Sequence, residues 1–259
     1  MAGISVGVSL KAYFGRDRAR AWFDAVAARI GAHPAVRSGS VDVFVVPTYL
    51  QIADAVAAFG STRVRVGAQD VSAFAPGAFT GETTASELSE SGVVLAEIGH
   101  AERRRLRGET DAEVAAKAAA AIAHGITPLL CVGEPDPRDA EAAASATVAQ
   151  LRADLVDAPA APVIVAYEPV WAIGAPEPAS TAHIRVVARA LRAALAADGR
   201  RSGSTVIYGG SAGPGLLTQL GDDVDGVFLG RFAHDPAAFA AVVDEAAALA
   251  AARPSGGPA

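Results

Sequence analysis

The chain has 259 residues, of which 51% are apolar and 19% charged, enough for one large core or two small ones. A net charge of -6, spread without a basic patch or aromatic interleaving, argues against a nucleic-acid partner. The single Cys131 excludes an internal disulfide, no Cys or His grouping has metal-ligand spacing, and no apolar run reaches bilayer length; a cytoplasmic protein with no metal and no membrane partner is expected.

Apolar runs and helical periodicity alternate from the first residues onward. Ile4 to Ser9 reads as a strand, followed by Lys11 and a helix from about Asp17 to Ile30, in which Trp22, Phe23, Val26 and Ile30 recur at helical spacing. Val41 to Val46 is a second strand closed by Pro47, and a helix runs through Ile52, Val56 and Phe59. Val64 to Gly67 is a third, leading into a polar, glycine-bearing stretch from Asp70 to Thr84. Val93 to Ile98 is a fourth, ending at Gly99, His100 and a helical turn. A helix over Asp111 to His124 precedes the fifth strand, Ile126 to Cys131, after which Gly133, Glu134 and Pro135 break the pattern. Another helix, Asp139 to Val156, precedes the sixth strand, Pro162 to Tyr167, whose β-branched Val163, Ile164 and Val165 are too few before Pro169 to form a helix. A helix from Ala182 to Ala197, strands at Thr205 to Tyr208 and Val224 to Leu229, and a last helix from Asp235 to Ala251 complete the pattern. Residues 1–253 are expected to form one domain, with 254–259 a disordered tail.

Eight strand-then-helix units of this length predict a closed (β/α)8 barrel, because right-handed crossovers put the helices outside. An open doubly wound sheet is the alternative, but residues 7–15 lack its glycine-rich first turn. In a barrel, chemistry gathers just after the strands on one rim. Ser9 and Lys11 follow the first strand, His100 the fourth, Glu168 the sixth, Gly209, Gly210 and Ser211 the seventh, and Gly230 and Arg231 the eighth. Singly, such a lysine is usually a solvated charge, such a histidine structural, and paired glycines a turn. Together they assemble an acceptor carboxylate, an imidazole, an ammonium group and two glycine turns on one edge. Apolar Tyr167, Val170 and Trp171 flank Glu168, and a carboxylate stripped of water is a stronger proton acceptor.

Several stretches resemble the signature segments of the triosephosphate isomerase family. They are Tyr167-Glu168-Pro169-Val170-Trp171-Ala172-Ile173-Gly174, Ile98-Gly99-His100-Ala101-Glu102-Arg103-Arg104, Cys131-Val132-Gly133-Glu134 and Tyr208-Gly209-Gly210-Ser211. Gly67-Ala68-Gln69 and Gly77-Ala78-Phe79-Thr80-Gly81-Glu82 are similar too, so the likeness runs from the first strand to the eighth. The resemblance implies a TIM-barrel isomerase acting on a short phosphorylated hydroxy-carbonyl compound through an enediolate, with no metal or organic cofactor. It implies Glu168 as the base, Lys11 as a fixed cation paired with Glu102, and His100 as a neutral electrophile whose pKa is lowered by the helix that starts near Ala101, a tuning established for the family. Backbone N–H groups at Gly174, Ser211 and Gly230 would hold the phosphate, beneath a lid formed by residues 169–179. A homodimer through residues 69–82 is implied, with Gln69 and Thr80 at matching places and Asp70, where Asn is usual, adding negative charge near the contact.

The departures from the pattern cluster around the same pocket. Ala175-Pro176-Glu177-Pro178 stands where Thr-Gly-Lys is usual, so the closing end of the lid should be stiffer. Ser9 replaces Asn and leaves room; Ala101 replaces Ser and deletes a hydroxyl that the resting base would contact; Arg231 replaces a second glycine and adds a cation. These changes predict a larger substrate, a four-carbon tetrulose phosphate such as L-erythrulose 1-phosphate. The glycolytic interconversion of dihydroxyacetone phosphate and glyceraldehyde 3-phosphate is the alternative. A third reading is a barrel that binds a phosphorylated metabolite without turning it over.

Overall fold

A computed structural model describes residues 3–253; the tail predicted at 254–259 lies outside the described residues. Eight strands, β1 (Ile4–Ser9), β2 (Val41–Val46), β3 (Arg65–Ala68), β4 (Leu95–Ile98), β5 (Thr127–Val132), β6 (Ile164–Tyr167), β7 (Thr205–Tyr208) and β8 (Gly226–Leu229), pair in chain order as a closed parallel barrel. The β1 to β8 pairing, with Val6 opposite Val227 and Val8 opposite Leu229, closes it. Around it lie α1 (Arg16–Ile30), α2 (Pro34–Ser38), α3 (Ile52–Phe59), α4 (Ala85–Glu90), α5 (Ala101–Arg107), α6 (Asp111–Ala123), α7 (Ala140–Asp154), α8 (Thr181–Ala197), α9 (Leu216–Leu220) and α10 (Pro236–Ala252). Among the described residues no helix is long and apolar enough to cross a membrane.

Strand alternation sorts the apolar residues into two cores. Outward residues such as Val6, Val8, Val43, Val45, Val165 and Tyr167 pack with the helices, while Phe44, Val46, Leu95, Leu129, Cys131, Ile164, Ala166, Ile207 and Phe228 fill the barrel itself. The inward positions of β1 are Ser5, Gly7 and Ser9, all small. A Cβ on Gly7 would fall 2.1 Å from the ring of Phe44, so the glycine makes room for an aromatic ring that fills the barrel from the neighbouring strand.

The helices start where the sequence supplies caps. Thr110 and Glu113 form a reciprocal capping box at α6, Ser180 accepts from the N–H of His183 at α8, and Asp235 caps α10 ahead of Pro236. Strand limits differ from the sequence reading by at most two residues. The short helices α2, α4 and α9 were not foreseen, because five or six residues give too little periodicity to read.

Candidate active site at the carboxyl rim

The eleven residues singled out for the rim and the site line one open cavity of about 870 Å³ at the carboxyl end of the strands: Ser9, Lys11, His100, Glu102, Glu168, Gly174, Gly209, Gly210, Ser211, Gly230 and Arg231. The geometry begins with the ends of β1, β4 and β6. Glu168 leaves β6 with its N–H bonded to Val132 O at 2.8 Å, and its side chain is only 4% exposed. Gly209 gives it space, since a Cβ there would lie 2.5 Å from Glu168 Oε1. Glu168 Oε2 sits 3.2 Å from His100 Nε2, close but outside hydrogen-bond alignment, and makes no hydrogen bond among the described residues.

His100 is the N-cap of α5, and its Nδ1 accepts the backbone N–H of Glu102 at 3.1 Å. A ring nitrogen that accepts carries no proton, so this bond assigns the imidazole proton to Nε2, facing the cavity. The expected lowering of the His100 pKa is corrected by the structure. Burial does pull it down, but the carboxylates of Glu168 and Glu97 lie against Nε2 and outweigh that, so the net direction is up. What favours the neutral, Nε2-protonated ring is the backbone donor at Nδ1.

Lys11 has φ of +48°, a left-handed conformation that costs a non-glycine residue strain. Its expected ion pair with Glu102 is present but long, 4.0 Å to Oε2 of a half-exposed side chain, and Nζ has a closer partner in Glu97 Oε1, which it bonds at 2.7 Å. Burial pulls the Lys11 pKa down and the Glu97 and Glu168 carboxylates push it above its ordinary value, so the side chain is an ammonium ion. Glu97, missed from the sequence, is 1% exposed and also accepts from Ser9 Oγ at 2.7 Å. Cys131, deeper in the barrel, keeps its thiol, since burial pushes its pKa well up.

The opposite wall offers donors. The backbone N–H groups of Gly174, Ser211 and Gly230 donate to no acceptor among the described residues, and all three residues border the cavity. Arg231 is exposed, forms no ion pair among the described residues, and brings its guanidinium alongside Gly174, 3.7 Å from where a Cβ would stand. Ser211 does more than the resemblance implied: its hydroxyl donates to Ala172 O at 3.0 Å or Ala175 O at 2.8 Å, tying segment 169–179 across the cavity. Tyr208 Oη accepts from Ala179 N–H at 3.2 Å at the far end, and Trp171 Nε1 donates to buried Glu134 at 2.9 Å at the near end. Two further lining residues, Tyr13 and Arg105, were not anticipated, because neither directly follows a strand.

The sequence matches the family model described as Triosephosphate isomerase over residues 4–246. A protein named L-erythrulose-1-phosphate isomerase from Pectobacterium atrosepticum is 48% identical over 250 residues, covering 95% of this chain and 96% of its own length. One named triosephosphate isomerase from Mycobacteroides abscessus is 42% identical, covering 77% of this chain and 81% of its own length. A second L-erythrulose-1-phosphate isomerase, from Mesorhizobium japonicum, is 37% identical over 80% of this chain and 85% of its own length.

Proposed function

The chain belongs to the triosephosphate isomerase family, and from that premise we propose that it moves the carbonyl of a four-carbon ketose phosphate, of the L-erythrulose 1-phosphate type, to the neighbouring carbon. The observation that carries the chemistry is the approach of Glu168 Oε2 to within 3.2 Å of His100 Nε2 beside the Lys11 ammonium, around one cavity. Glu168 takes a carbon-bound proton and returns it to the adjacent carbon. The Nε2–H of His100 donates to the oxygens of the enediolate formed in between, and Lys11 supplies fixed positive charge. The amides of Gly174, Ser211 and Gly230, with Arg231, bind the phosphate. Each proton removed is returned, so the reaction balances without a metal, an oxidant or an organic cofactor.

The size of the substrate follows from its own chemistry. A 2-ketose esterified at its first carbon can shift its carbonyl only to the third, so the reacting pair sits at the same distance from the phosphate as in dihydroxyacetone phosphate. The sole addition is a hydroxymethyl group on the far reacting carbon. Ser9 in place of Asn and Ala101 in place of Ser open space beside the reacting carbons, and the extent of likeness to the Pectobacterium protein supports the larger substrate. Activity is expected from a cytoplasmic homodimer.

Parallel assays of L-erythrulose 1-phosphate and dihydroxyacetone phosphate on pure protein test this. A higher kcat/KM for the tetrulose is expected; a much higher value for the triose assigns the glycolytic reaction instead. Incubation of both in deuterated water should label substrate and product at carbon, and the absence of label from both would leave a binding protein.

A further inference from the structure

Glu97 is an unusual residue for the inside of a barrel. It lies on β4 at the inward position above Leu95, at 1% exposure, inside a barrel whose other filling includes Val46 and Cys131. An unpaired carboxylate there would be strongly disfavoured, so the two donors it finds matter. Both come from across the barrel: Ser9 Oγ gives to Oε2 and Lys11 Nζ to Oε1, each at 2.7 Å. The same Oε1 is 4.0 Å from His100 Nε2. One buried carboxylate therefore touches the ammonium group and borders the imidazole that the proposed reaction uses, yet it lines no part of the open cavity.

We propose that Glu97 is a positioning residue that fixes the Lys11 ammonium through a carboxylate bridge to Ser9 and sets the charge against which His100 Nε2 works. This deepens the reading above and rests on it. A lysine side chain has four rotatable bonds and no preferred site for its charge. Lys11 starts from a strained backbone, and the bridge supplies a second fixed point at the other end of its side chain. The bridge also neutralises that ammonium. The Glu168 carboxylate then leaves the pocket floor with a net negative charge, and a cation free of an ion pair among the described residues, Arg231, lies at the rim. The groups that face His100 are Glu168 at the end of β6, Glu97 on β4, Lys11 after β1 and Glu102 on its own helix α5, 3.6 Å from Nδ1. Of the three carboxylates Glu97 is the one held by both a buried hydroxyl and a part-buried ammonium, so its contribution stays constant while Glu168 moves protons.

The test is E97Q, a near-isosteric change that removes the charge, keeps one acceptor oxygen for the Lys11 ammonium and turns an NH2 group towards Ser9 Oγ, which can accept from it. With the better of the two ketose phosphates, kcat should fall about tenfold to a hundredfold, with KM unchanged or lower because the floor is now more positive. In the ligand-free variant the nitrogen NMR titration of His100 should move to lower pH, a readout independent of which sugar is the substrate. E97D should separate the two effects: it keeps the charge but is one methylene too short to bridge, so kcat should fall while the His100 titration stays near that of the parent. E97D also serves as the alternative where E97Q does not fold. A purely structural Glu97 would lower thermal stability and leave kcat per folded site and the His100 titration unchanged in both variants, which would overturn the proposal. Loss of kcat in E97Q with an unmoved titration would overturn it as well.

Discussion

The space around Glu168 is set by one missing side chain. An ideal Cβ on Gly209 would meet Glu168 Oε1 at 2.5 Å and Cγ at 2.6 Å, so Gly209→Ala must push the carboxylate away from its present place near His100. A shift of that kind should lower kcat by about a hundredfold while Tm changes by no more than about 4 °C, measured by steady-state kinetics and thermal unfolding. A second prediction concerns acid stability. Burial pushes the Glu97 pKa up, but Lys11 and His100 pull it down further, and the result lies below the ordinary 4.5. A carboxyl group with a depressed folded-state pKa contributes stability that is present above its unfolded value and is lost as pH falls through the folded one. Tm should therefore drop steeply below pH 4.5, and the drop should be shallower in E97Q, where the side chain is neutral in both states. Glu97 was also the residue the sequence hid. Lys11, His100 and Glu168 follow strands, where a barrel puts its chemistry, but Glu97 lies inside one. Within Leu95-Ala96-Glu97-Ile98 its partners are 86 and 88 residues away, and only closure of the barrel brings them together.

Segment 169–179 is held at both ends by groups that the fold supplies. At the near end Trp171 and Tyr167 converge on Glu134, and His183 Nε2 from α8 approaches the same carboxylate at 3.2 Å. At the far end Tyr208 and Ser211 of the loop after β7 bond its backbone. Pro176 and Pro178 fix φ and remove two amide donors between these anchors, so the far end depends on Ser211 and Tyr208 more than a segment rich in free amides would. Opening the lid exposes an enediolate carrying a phosphate ester on the adjacent carbon, which can expel phosphate in water. Ser211→Ala combined with Tyr208→Phe should raise KM and increase the inorganic phosphate released per turnover, measured by a phosphate assay beside the isomerase assay. The remodelled lid was legible because prolines declare themselves in sequence. The short helices α4 and α9 were not. Each offers little more than one turn of residues, so what holds them is the burial of Ala85 and Leu88 or of Leu216, Leu217 and Leu220 and not a periodic pattern.

On the scale of the whole molecule, the long loop after β3 joins the pocket to the outer surface. At its root Gln69 Nε2 donates to Lys11 O at 3.0 Å and to Val46 O at 3.2 Å, supporting the strained backbone of Lys11. Asp70, expected to add negative charge at a subunit contact, is instead turned inward and neutralised by Lys117 at 2.8 Å and Arg103 at 2.6 Å, so it stiffens the loop's base. Ser72 N bonds Thr83 O at 2.9 Å, and beyond that closure Phe74 and Phe79 stack at 4.2 Å while remaining 49% and 42% exposed. A stacked aromatic pair held out on a braced loop is poorly suited to water and well suited to burial against a second copy. The protein is therefore expected to be a dimer at micromolar concentration by light scattering, and Phe79→Glu should shift it to the monomer mass. Because the same loop supports Lys11 through Gln69, the monomer should lose kcat more than affinity for substrate, and activity of the parent enzyme should fall on dilution through the dissociation range. A parent protein that is monomeric at micromolar concentration, or an F79E monomer with full kcat, would separate the loop from the pocket.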